Sequence, residues 1–177
     1  MSTSTDEERR AEVNLIVESL GGPALYGTSA GGYENSFLIL EATRCYHFGA
    51  DLACILCAHA CCERELAGIL RWQEPATLKS DRWGLGRLIR TGRERGWFDA
   101  DLAVRLERVN ENRRTLYHLQ DLETPTGLWR RAISRADNPV TKDNVAQAIP
   151  GTIRQEALEA LACAFTVRTI EVERRWR

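Results

Sequence analysis

Apolar side chains recur every three to four positions along most of the chain, and that period predicts helices. Val13, Ile16, Val17 and Leu20 share one face of a first helix from about Asp6 to Leu20, which Gly21-Gly-Pro23 ends. A connector follows to about Ser36. The block from Phe37 to about Trp72 is the most apolar part of the chain; Gly49 and Asp51 divide it into helices Phe37–Phe48 and Ala50–Trp72. The second of these is apolar around most of its circumference, as a central core helix should be. Glu74-Pro75 closes it. Asp81 is placed to cap a helix running to about Arg95, closed by Gly96, and Asp99 to cap another that reaches about Gln120. Pro125, Gly127 and Pro139 make Leu122–Asn144 irregular, with room for one short helix. Thr152-Ile-Arg-Gln155, just after Pro150-Gly151, has the form of a capping box and predicts a last helix from there to about Arg174. No segment carries a convincing strand pattern, so the expected fold class is all-α.

The composition adds limits. The chain of 177 residues suits one well-cored domain, with 44% hydrophobic and 28% charged residues. A formal net charge of −1 means that any contact with nucleic acid must come from a local patch, because phosphate binding is electrostatic. Of the 24 basic residues, Lys79 and Lys142 are the only lysines. Arginine binds phosphate through a planar fork of donors, so such patches can be built. Arg87, Arg90 and Arg93 recur at helical spacing and form either a solvated face or an RNA-binding patch. No apolar run reaches the roughly 20 residues that span a bilayer, and Met1–Arg10 has no apolar core. The expectation is a cytoplasmic protein without membrane contact, its six cysteines reduced.

The helix after Asp99 carries the most chemistry. Leu102, Leu106, Val109, Arg113 and Leu116 share one face, placing Arg113 in an apolar stripe. A desolvated guanidinium needs a partner, and Glu63 or Glu65 on the preceding core helix is the natural one, Glu63 being preferred. Glu107, Glu111, Arg114 and His118 fall on a different face, with Arg114 and His118 four apart. Arg113 and His118 form R-x-x-x-x-H, and those two residue types can cleave RNA: histidine moves a proton near neutral pH, and arginine neutralises charge building on phosphorus. Asn112 and Tyr117 flank the pair as supporting residues. The plainer reading makes Arg113 an ion-paired core residue and His118 a cation near a helix C-terminus.

The order of these segments resembles HEPN-domain proteins. Glu41-Ala-Thr-Arg-Cys-Tyr46-His-Phe-Gly49 through Leu56 to Glu63-Arg-Glu-Leu66 is similar to that superfamily's first helical hairpin. Leu85-Gly-Arg-Leu-Ile89 with Gly96-Trp-Phe98 is similar to its third helix and turn, and Leu106 to Arg113-Arg-Thr-Leu-Tyr-His118 to its arginine–histidine signature. The resemblance covers about Phe37 to Arg174. It implies a HEPN-like bundle of about five core helices over residues 37–177, preceded by an N-terminal helix and connector over 1–36. It also implies a homodimer whose signature helices face each other, with Arg113, Arg114 and His118 at an RNA-cleaving cleft that needs no cofactor or metal. The chain departs from the superfamily at one place: active members commonly carry Asn, Asp or His after the arginine, where Arg114 stands here. That keeps positive charge but loses a small group able to orient the histidine. The resemblance therefore implies two functions, an endoribonuclease of toxin–antitoxin or antiviral defence systems, with an antitoxin or defence-complex partner, or a catalytically silent module that binds RNA or protein.

Other constellations read as structure. Cys54, Cys57 and Cys61 repeat at the spacing of a packing stripe on one helix, whereas zinc sites draw ligands from several segments. His47 reads as a satisfied structural histidine. Gly27-Thr-Ser-Ala-Gly-Gly32 lacks the Gly-Lys-Ser/Thr ending of a phosphate loop and reads as a connector. The tail Glu173–Arg177 reads as a frayed end.

Overall fold

The computed structural model describes residues 6–75, 82–117, 127–136 and 141–170. Among them the chain forms seven α-helices and one 3₁₀ turn, with no strand. In order these are α1 (Asp6–Ser19), the 3₁₀ turn Gly22–Tyr26, α2 (Tyr33–His47), α3 (Asp51–Gln73), α4 (Leu85–Glu94), α5 (Ala100–Tyr117), α6 (Leu128–Ile133) and α7 (Lys142–Val167). The all-α expectation holds. No helix among the described residues is long and apolar enough to cross a membrane.

The long helices α3 and α7 pack against each other at the centre; α2 lies on both, and α5 packs on both as well. Ile55, Cys61, Cys62, Leu66, Ile69 and Leu70 of α3 meet Ala157, Leu161, Cys163, Ala164 and Phe165 of α7 in one continuous core. Three of the four cysteines on α3, Cys54, Cys61 and Cys62, have no exposed surface. Burial pushes the Cys61 and Cys163 thiols up to about 12, so they stay protonated and pack as small apolar groups. The N-terminal helix joins the same core through Val13 and Val17. Arg9 ties it to the α2–α3 turn, with paired hydrogen bonds to Asp51 at 2.5 and 3.0 Å and a third to the Tyr46 carbonyl at 2.8 Å. At that turn Gly49 takes a φ of 73°, a left-handed conformation suited to glycine.

Two helix boundaries follow local sequence closely. Asp99 caps α5, its Oδ1 accepting the Leu102 N–H at 2.8 Å, and Gly96 closes the preceding turn at a φ of 67°. Two others differ. The second helix starts at Tyr33, one turn before Phe37. The last helix starts at Lys142 rather than at Thr152, because Thr141 caps it by accepting the Asn144 N–H at 3.2 Å. Pro150 therefore lies inside α7. Proline removes one helical hydrogen bond, but α7 buries residues on both sides of it, Val145 before and Thr152, Glu156 and Ala157 after, and that packing outweighs the defect. Thr152 is buried mid-helix, its hydroxyl donating to the Ala148 carbonyl at 2.9 Å. The Asp81 cap and the expected helix ends at Gln120 and Arg174 lie outside the described residues.

The connector is held by one carboxylate. Glu65, on α3, is buried and accepts from the Ser29 hydroxyl at 2.5 Å, the Ala30 N–H at 3.0 Å, the Gly31 N–H at 3.2 Å and the Asn35 amide at 2.6 Å. Arg168, at the end of α7, stands 3.6 Å from the same carboxylate and donates to the carbonyls of Leu25 (2.6 Å) and Gly27. The loop lies so close to α3 that a Cβ at Gly68 would sit 2.0 Å from the Ala30 carbonyl oxygen.

Glu65→Ala would leave four donors without their acceptor and the buried Arg168 guanidinium without its counter-charge, so it should cost roughly 3–5 kcal/mol in chemical denaturation. Gly68→Ala should lower the melting temperature too, by forcing the loop off α3. Near-parental stability in both variants would mean that the loop is not part of the cooperative unit.

Candidate functional site

Helix α5 carries Arg113 and Arg114, and its buried stripe departs from the sequence expectation at its last turn. Leu102, Ala103, Leu106, Val109 and Asn112 are buried, while Arg113 and Leu116 are half-buried. Leu102, Leu106 and Val109 hold the expected stripe; at its last turn Asn112 takes the inner position and Arg113 stands at the edge of the core. A long side chain at such an edge keeps its charged head near solvent.

The carboxylate expected to hold Arg113 has another duty. Glu63 Oε2 accepts the Leu85 N–H at 2.8 Å, capping α4 from the neighbouring helix. One turn earlier on α3, buried His59 places Nε2 3.2 Å from Asn110 Oδ1 of α5. His59 is held below its ordinary pKa, first by burial; Arg113 adds to that lowering, while the Asn110 bond and the Glu63 charge oppose it. Thus His59, Glu63, Asn110 and Arg113 converge where α3, α4 and α5 meet. Sequence reasoning missed His59 and Asn110 as members of the site. The available signal was the spacing of four between His59 and Glu63, which puts both on one face of α3.

Arg113 and Arg114 diverge, as consecutive helical residues must. Arg114 is exposed and bonds Glu111 at 3.3 Å. On that side, α4 and α5 bound a surface groove of about 510 Å³ lined by Gly86, Arg90, Arg93, Glu94 and Glu107. Arg93 pairs with Glu107 at 3.1 Å across it. Glycine at position 86 matters here, since a Cβ would stand 3.3 Å from Asn110 Nδ2. Of the three α4 arginines, Arg90 and Arg93 line the groove; Arg87 instead stacks on the Trp83 ring, 3.4 Å from its centroid. At the far end of α5, Arg131 of α6 grips Glu156 of α7 through two bonds at 2.6 and 3.1 Å and donates to the Thr115 hydroxyl at 3.2 Å. This tie fixes the turn of α5 that follows Arg113 and Arg114. Tyr117 is the last residue of α5, and His118 lies outside the described residues.

Among the described residues, no three His, Cys, Asp or Glu side chains gather closely enough to hold a metal ion. His47 differs from its expected role: its Nε2 is buried with no hydrogen-bond partner among the described residues, and burial lowers its pKa. On α5, Val104 is the large apolar side chain left exposed among those described, beside the exposed charges of Asp101, Glu107, Arg108 and Arg114.

Two outcomes follow from this geometry. Glu63→Ala removes the acceptor that caps α4, so it should cost about 1 kcal/mol; a loss of several kcal/mol in urea melts would mean that Glu63 also holds a buried charge. For His59, a folded pKa below the unfolded value of about 6.5 means that the unfolded state binds more protons, so stability falls as pH drops through 6.5. The melting temperature should decline between pH 7.5 and 5.5, and less steeply in His59→Gln; identical slopes would place His59 in a solvated setting.

No protein-family model matches the chain, and no curated protein or solved structure matches it, so the likeness to HEPN-domain proteins rests on the residue pattern alone.

Proposed function

We propose that the chain is an endoribonuclease that binds single-stranded RNA along the α4–α5 groove and cleaves it beside the C-terminal end of α5. The observation that carries this reading is the set of arginines on one surface: Arg90 and Arg93 of α4 along the groove, and Arg114 exposed on the face of α5 that carries Glu107. Their planar forks suit phosphate oxygens. The chemistry is transesterification. His118 takes the proton of a ribose 2′-OH, the 2′ oxygen attacks the adjacent phosphorus, and the bond to the 5′ oxygen breaks as that oxygen is protonated. Arg113 and Arg114 offset the charge on the phosphorane, and Asn112 and Tyr117 support their helix turn. The biological setting that goes with this reading is toxin–antitoxin or antiviral defence, with a neutralising or defence-complex protein as partner.

A second reading, a silent RNA- or protein-binding module, is favoured by the pairing of Arg93 with Glu107 and of Arg114 with Glu111, which neutralises part of the groove.

Incubation with labelled single-stranded RNA in excess EDTA separates the two. The nuclease reading expects 2′,3′-cyclic phosphate ends, with activity reduced roughly 10²–10⁴-fold in His118→Ala and also lost in Arg113→Ala. RNA binding without cleavage would establish the silent module. Neither binding nor cleavage would remove both RNA readings.

A further inference from the structure

Helix α2 leaves one face uncovered. Tyr33, Phe37 and Leu40 lie on it with Arg44 and Glu41, and Phe48 extends it at the C-cap. Tyr33 is 67% exposed, Phe37 56%, Leu40 37% and Phe48 71%. Tyr33 and Phe37 already touch edge to face, with ring centroids 5.1 Å apart, so the patch is ordered by its own contacts. Single exposed apolar residues are ordinary, but four in one stripe mark a surface that is covered in use.

We infer that a second copy of the chain covers it, with the two α2 helices antiparallel about a two-fold axis at Leu40–Glu41. The stripe is complementary to itself in that arrangement. Residue numbers facing each other sum to 81, which sets Tyr33 against Phe48 of the second copy and Phe37 against Arg44 of the second copy. The first is an aromatic pair and the second a cation over a ring; both are favourable contacts. At the axis Leu40 faces Glu41 of the second copy and lies beside its own symmetry mate. Glu41 and Arg44 are exposed and only loosely paired within one chain, at 3.8 Å, so they are free to exchange partners across the axis. An antiparallel crossing near 20° keeps two helices in contact over this length.

The area agrees. Taking roughly 150–250 Å² for each aromatic side chain, the exposed parts of the four residues present on the order of 450 Å² of apolar surface. A standard interface buries about 800 Å² per partner, of which roughly 60% is apolar. The stripe supplies that share. It also lies on a helix that does not pack against α5: both rest on the α3–α7 pair. The α4–α5 groove therefore stays open in each copy, and the inference is independent of whether the groove cleaves RNA.

Sedimentation velocity at tens of micromolar should give a dimer for the parent chain and a monomer for Phe37→Glu/Leu40→Glu. A monomeric parent, or a double variant that stays dimeric, overturns the inference. Should the double variant unfold on thermal scanning, cysteine pairing decides. Leu40→Cys should form a disulfide-linked dimer with oxidised glutathione, beyond the level of the parent chain, and Val104→Cys on α5 should not. Cross-linking through Val104→Cys alone would place the axis at α5 instead.

Discussion

The Glu65 carboxylate is the interaction on which the rest of the architecture depends. It is buried, so its negative charge requires compensation, and four donors from the connector and α2 together with Arg168 supply it. Each of those donors would be costly to leave unmet in the interior. The outcome is that segments far apart in the chain, the residue 25–35 region, the middle of α3 and the end of α7, are locked at one point. The connector is consequently structural, and α2 is set at the angle that leaves its Tyr33–Phe48 face outward.

Helix α3 does this while serving a second neighbourhood on its other side. His59 and Glu63 are one turn apart and face α4 and α5; Glu65 lies away from them and faces the connector. Between the two, Cys61, Cys62 and Leu66 fill the core. Glu63 holds the start of α4 by its first backbone donor, and His59 holds α5 through Asn110. The groove between α4 and α5 is thus defined from beneath by α3. Its arginines project from helices whose relative position is set by polar contacts as well as by packing.

Arg113 and Arg114 take different roles for a geometric reason. Neighbours on a helix are turned by about 100°. Arg113 faces the α3 junction, where it acts on His59 through its charge, and Arg114 faces solvent beside Glu111. The residue that departs from the HEPN pattern is accordingly the one on the groove's side of α5. Arg131, bonded to both Glu156 and Thr115, keeps this turn in place from the opposite side.

The sequence by itself determined the helices and most of their order, since hydrophobic period and short-range caps are local signals. The first helix, the α2–α3 hairpin at Gly49 and the Asp99 cap were all legible. It also identified the cysteines of α3 as packing residues. Tertiary structure decided what local signals could not weigh. Pro150-Gly151 and the Thr152 pattern indicated a helix start, yet burial of side chains on both sides of Pro150 and the Thr141 cap carry α7 through them. Glu63, the preferred candidate for pairing Arg113, and Glu65 both lay on α3; packing set Glu63 at the N-terminus of α4 and Glu65 at the connector. Arg113 stands at the edge of the core because Asn112 takes the inner position at the last turn of α5, while Leu102, Leu106 and Val109 are buried as their period predicts. His59 came to the site only because α3 and α5 lie side by side, and residues 51 positions apart carry no mark in the sequence that they will meet.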